Sequence, residues 1–106
     1  MIEKPYAFTK TNDKTIERII DDKNAAINHM VLRKDEALPE HFANSNVYMI
    51  VARGAVTLQL DEQEPHTYES GSIITIPYKT KMNVGNSDTN VLELFVVKAP
   101  GPSVML

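Results

Sequence analysis

The sequence has no cysteine. That absence excludes disulfides, thiolate metal sites and cysteine nucleophiles together, and it fits a reducing cytosol. A basic surplus is missing as well. Eleven Lys and Arg stand against 14 Asp and Glu, for a net charge of −3. With no Lys/Arg cluster, the electrostatic footprint of a nucleic-acid binder is absent. Long apolar runs are missing too: the longest, Val47–Ala52, is far too short to span a bilayer. The opening stretch MIEKPYAF lacks the apolar centre of a signal peptide. There is no phosphate loop, nucleophile elbow, His-Glu-x-x-His or paired-cysteine motif, and no internal repeat, low-complexity segment or linker. The expectation is a soluble, cytoplasmic protein with neither nucleic acid nor membrane as a partner.

What is present is the composition of one globular domain. The 106 residues are 42% hydrophobic and 24% charged, a usual balance for a soluble fold. A chain of this size buries about two-thirds of its unfolded surface, enough for a single core. Asp21-Asp22-Lys23-Asn24 is a strong turn signal; Ile16, Ile19 and Ile20 before it allow a helix turn or a strand, Ala25–Leu32 after it reads as a strand, and a hairpin is the preferred reading. Leu38-Pro39 opens an extended segment, because the residue before proline is driven out of the helical region. Val47–Ala52 is rich in β-formers, and Arg53-Gly54 is a tight turn. Val56, Leu58 and Leu60 alternate with polar residues, the pattern of a half-buried strand. His66–Glu69, Ile73–Ile76, Met82–Val84 and Val91–Val97 complete the series. Eight or more short strands with turns every 8–12 residues and no long helix define an all-β sandwich or barrel. Residues 1–24 read as an arm with the first strands, 25–98 as the barrel, and 99–106 as a terminal coil.

Val47–Ala52, Ile73–Ile76 and Val91–Val97 are apolar on both faces. A strand with one wet face should alternate, so the outer side of these strands needs a cover. A second copy of the chain, forming a homodimer, is the expected cover; the N-terminal arm folding over the same face is the alternative.

His41-Phe42-Ala43, Val47 and Gly54 resemble the first motif of the cupins, and Gly71, Pro77 and Asn86 resemble the second. The resemblance spans about residues 25–98 and implies a double-stranded β-helix, the jelly-roll barrel. In the family pattern three histidines and one glutamate hold a transition metal. Here His41 matches the first histidine, but the second falls on Ala43, the glutamate on Val47 and the last histidine on Met82. The glycine of the second motif falls on Lys79. A single imidazole is too few for a non-haem metal site, so no cofactor is expected. The pocket is expected to be apolar, lined by His41, Ala43, Val47, Met49 and Met82, and to take a small molecule.

His41 has three readings: a hydrogen-bonded residue at the pocket mouth, an acid/base group paired with Glu93 if that residue points inward, or a ligand in a soft site with Met82 and Met49. His29 reads first as a satisfied or exposed strand residue; if it faces the barrel, it would restore a two-histidine metal site with His41 and Met82. His66 reads as solvated. Tyr78, Lys79 and Lys81 sit where the pocket rim should lie. The leading function is a stand-alone small-molecule-binding cupin. The alternative is a small isomerase, lyase or dioxygenase using His41 or a rearranged metal site. A third possibility is the sensor domain of a regulator, with its DNA-binding partner on another chain.

Overall fold

The computed structural model describes residues 1–105. Among them the strands are β1 (Thr15–Asp21), β2 (Ala26–Arg33), β3 (His41–Phe42), β4 (Val47–Arg53), β5 (Ala55–Leu60), β6 (His66–Glu69), β7 (Ile73–Ile76), β8 (Lys81–Gly85) and β9 (Val91–Lys98). They form a five-stranded sheet, β1-β2-β9-β4-β7, and a four-stranded sheet, β3-β8-β5-β6. Neighbouring strands are antiparallel throughout.

Local chemistry sets the turns. Between β1 and β2 the Asp22 carboxylate accepts from the amides of Asn24 (2.8 Å) and Ala25 (3.0 Å). This Asx arrangement closes the hairpin, and the Gly101 amide of the C-terminal segment donates to the Lys23 carbonyl in the same turn (3.0 Å). Between β4 and β5, Gly54 takes φ +74°, and a Cβ there would lie 2.2 Å from the Val91 carbonyl oxygen, so only glycine lets the turn approach β9. Asn86, almost fully buried, donates to the carbonyls of Leu32 (3.0 Å) and Thr89 (2.8 Å), and accepts from the Thr89 amide (3.0 Å) and hydroxyl (2.7 Å). One side chain thereby pins the loop before β9 to the end of β2.

The alternation expected of strands decides what is inside. Val47, Met49 and Val51 of β4, Leu92, Leu94 and Val96 of β9, and Met30 and Leu32 of β2 face Val56, Leu58, Met82 and Val84 of the second sheet in one buried core. Each such side chain is worth roughly 1.5–3 kcal/mol when removed from water.

The other face of the large sheet explains its second apolar stripe. The N-terminal arm lies across it. The Phe8 ring sits 4.8 Å from the rings of both His29 and Phe95, and Arg53 reaches back to the Thr11 carbonyl (2.8 Å) and the Asn12 side chain (2.7 Å). The arm thus covers β2 and β9. Tyr48 on β4 and Ile73 on β7 lie beyond it and remain 41% and 68% exposed. At the C-terminal end, the coil expected over 99–106 contains a 3-10 turn at Pro102–Met105.

Candidate functional site

The interior of the barrel narrows to a cavity of about 30 Å³ between the sheets. Its walls include all five residues expected from the sequence, His41, Ala43, Val47, Met49 and Met82. Met30, Leu38, Val84 and Val96 join them on the apolar side, and Asn28, Asn44 and Lys98 on the polar side. Strand geometry brings these groups together. β3 and β8 place His41 opposite Met82, and β4 sets Val47 and Met49 on the inward side. Ala43 is held beside them by two backbone hydrogen bonds to the loop before β8, its amide to Thr80 (2.8 Å) and its carbonyl from Lys79 (2.9 Å). Lys79 is left-handed at φ 73°, which accounts for a glycine at this position in the motif.

His41 lies at the mouth. Its side chain is exposed, and Nδ1 is 2.9 Å from the Pro39 carbonyl. A carbonyl only accepts, so Nδ1 carries a proton and Nε2 is the ring's other hydrogen-bonding group. Among the described residues no carboxylate is hydrogen-bonded to His41.

Two possibilities that the sequence leaves open are decided by strand parity. Glu93 does not point at His41, and His29 does not point into the barrel. β2 and β9 pair His29 with Phe95 and Val31 with Glu93, and all of these face outward, under the arm. There His29 is fully buried. Its Nδ1 is 2.7 Å from Glu17 Oε2 and its Nε2 2.6 Å from Glu93 Oε2, while Arg53 Nε donates to Glu93 Oε1 at 2.8 Å. Two carboxylate acceptors need two N–H donors, so the ring sits as an imidazolium between them. The Glu17 carboxyl is held below its ordinary range by the Thr9 amide and then by His29. Burial pushes Glu93 up, but the hydrogen bonds of His29 and Arg53 and the Arg53 charge outweigh it, and the net direction is down. This set of four charged groups fastens the arm to the sheet, on the face opposite to the cavity.

The metal positions of the motif therefore hold one exposed imidazole, a methyl, an isopropyl and a thioether. His29 cannot join His41 and Met82. Among the described residues no group of three or more His, Cys, Asp or Glu converges as a metal site would require. The donor set does not fit the iron, manganese, nickel or zinc that three imidazoles and a carboxylate hold. Tyr78, Lys79 and Lys81 stay outside the cavity: the Tyr78 hydroxyl donates to Met105 (3.2 Å), and Lys81 pairs with Glu62 (3.3 Å). His66 is exposed on β6.

The sequence reading missed four apolar wall residues, Met30, Leu38, Val84 and Val96, and the polar ones, Asn28, Asn44 and Lys98. Asn28 and Lys98 point inward because they share a face with Met30 and Val96. Lys98 is half-buried, and burial followed by the Arg18 charge pushes its ammonium down, with Asp21 acting partly against them. The Asn28 side-chain oxygen is buried with no hydrogen-bond partner. A larger cleft, about 540 Å³, opens near the other end of β2 and β9, lined by Asn12, Asp13, Arg33, Lys34, Glu36, Asn90 and Val91. It is wide and open, and Val91 is the apolar residue among those that line it.

Two antiparallel sheets closed over an inner cavity define a double-stranded β-helix. Comparison with known proteins agrees with that geometry. No protein-family profile matches the chain. An uncharacterised protein of Methanocaldococcus jannaschii is 43% identical over 103 residues, covering 96% of this chain and 89% of that protein. The crystal structure of an RmlC-like cupin family protein with a double-stranded β-helix fold, also from M. jannaschii, superposes with a TM-score of 0.96 at 42% identity, over 99% of this chain and 97% of that one. A cupin superfamily protein from Desulfitobacterium hafniense shares the fold at 9% identity, with a TM-score of 0.73 over 88% of this chain and 83% of that one. The chain belongs to the RmlC-like cupin family. No helix of the described residues is long and apolar enough to cross a membrane.

Proposed function

We propose that the chain is a small-molecule-binding cupin whose barrel interior takes an organic guest without the metal typical of the fold. The observation that carries this reading is the make-up of the cavity. Four apolar strands close it, and three polar side chains converge at one end, the combination that small-molecule sites share. The walls favour binding over an isomerase, lyase or dioxygenase: among the described residues that line the cavity no carboxylate stands beside His41. Thermal unfolding of the chain against a panel of small organic molecules tests the proposal. A guest present at a hundred times its Kd should add about 2.7 kcal/mol of stability, and Ala43→Val, which grows a side chain into the cavity, should abolish that gain. Equal stabilisation of both chains would refute the reading.

We also propose that two copies pair through β4 and β7, where Tyr48 and Ile73 are left uncovered by the arm. Light scattering at micromolar concentration should report a dimer, and Ile73→Lys a monomer. A monomeric native chain would remove this part of the proposal.

A further inference from the structure

The polar end of the cavity says what kind of guest fits, provided that the binding reading above holds. Asn28, Asn44 and Lys98 line two spaces at once: the inner cavity of about 30 Å³ and an outer basin of about 210 Å³ whose walls include Arg18, Asp21 and Ser103. They form the threshold between the two. The inner space is the smaller of the two, so it takes the tip of a guest, and the basin takes the rest.

Lysine rarely turns inward unless it is paired. Lys98 does so at the end of β9, opposite Ala26 of β2 and Val47 of β4. Among the described residues no carboxylate lies within ion-pair distance of it; Asp21, the nearby acid, is engaged by Arg18 at 3.2 Å. Arg18 itself adds positive charge on the same side and disfavours the ammonium. Of the residues that line the basin, Arg18 and Lys98 are cations and Asp21 is an acid, which leaves room for a second anion. The buried Asn28 oxygen, without a donor, lacks one hydrogen bond, a deficit that costs free energy until something fills it.

We propose that the guest is a small 2-hydroxy carboxylic acid with a short apolar body. The carboxylate lies between Lys98 and Arg18, the hydroxyl donates to the Asn28 oxygen, and the branched tip enters the space walled by Met30, Met49 and Met82. Each chemical group of the guest answers one unmet requirement of the threshold.

The methionines provide the readout. Met30, Met49 and Met82 line the inner cavity, and Met1 and Met105 lie outside it. In the full chain labelled with carbon-13 at the methionine methyls, titration with 2-hydroxyisovalerate should shift the three inner signals saturably and leave the outer two in place. It should bind at least tenfold more tightly than 3-methyl-1-butanol or 3-methylbutylamine. Lys98→Met should weaken the acid at least tenfold and leave the alcohol unchanged. Asn28→Leu should remove the preference for the hydroxy acid over isovalerate. If the acid, alcohol and amine bind alike, or if Lys98→Met leaves the acid unaffected, the carboxylate assignment is overturned while the binding reading stands. If no probe moves an inner methyl, both fall. Should Lys98→Met fail to fold, the order of probe affinities in the native chain decides the matter by itself.

Discussion

Replacing His29 by leucine removes the centre of the charged set beneath the N-terminal arm while keeping an apolar side chain of similar bulk. The change deletes two short hydrogen bonds, at 2.7 Å to Glu17 and 2.6 Å to Glu93, each to an ionised partner. Such bonds contribute about 1.5–3 kcal/mol apiece, and removing one member of a buried ion pair costs about 3–5 kcal/mol. Both figures need reduction here. The Glu17 side chain is 26% exposed and can turn to water, and Glu93 keeps Arg53 at 2.8 Å. A loss of about 2–4 kcal/mol follows. For a domain of this size it lowers the melting temperature by roughly 10–15 °C. Circular dichroism melts and urea titrations at pH 7 measure it directly. A double-mutant cycle with Glu17→Gln isolates the pair, and a non-additive loss is expected for groups in direct contact. Because Phe8 stacks on the same ring, the arm should also become a protease target in the His29→Leu chain. If that chain melts within about 2 °C of the parent, the charged set contributes nothing, and the assignment of the arm's anchor to it is wrong.

Acid should act through the same residues. Glu17 and Glu93 both titrate below the ordinary value of 4.5 in the folded chain, so the unfolded chain binds their protons more readily. Their stabilisation is complete above that value and disappears as pH falls through the lower folded values. Urea midpoints should therefore drop below about pH 4.5, and the Glu17→Gln/Glu93→Gln chain should show a shallower drop. Lys79→Gly should stabilise the fold by about 0.5–1 kcal/mol, because a left-handed residue at φ 73° is strained with a Cβ and free of strain without one; calorimetry checks the sign. Asn86→Ala should cost about 2–4 kcal/mol in urea unfolding, since it leaves the buried Leu32 carbonyl without its donor and frees the loop held at Thr89.

Much of this molecule can be read from its residues. Turn chemistry at Asp22 and Gly54 and the two-residue period of Val47–Val51 and Val56–Leu60 specify the strands. The motif spacing locates the cavity walls, because His41, Ala43, Val47 and Met82 stand where a metal's ligands would otherwise converge. What could not be read was which way β2 and β9 face. A shift of one residue exchanges every side chain between core and surface. In Val91–Val97, apolar residues flank Glu93 on both sides, so the pattern permits either orientation. In Ala26–Leu32 the set Ala26, Asn28, Met30, Leu32 and the set Ile27, His29, Val31 each carry one polar residue among apolar ones, so the alternation does not say that Asn28 and not His29 turns inward. Lys98 was hidden for a different reason. A lysine at a strand end normally marks solvent, and only its pairing opposite Val47 and Ala26 shows that it closes the barrel. The arm as a cover for the outer face stood as the alternative to a second copy, but its docking residues were hidden, since nothing local in Phe8 specifies a partner 21 residues further on.

The most direct measurement is a crystal structure of the chain grown with 2-hydroxyisovalerate. Elongated density should run from the Lys98 ammonium past Asn28 to the sulfur of Met49, with no atom bonded to the His41 ring. A fully occupied metal ion coordinated by His41, with the space beside Lys98 holding only water, would contradict the reading of this barrel as a site for an organic acid.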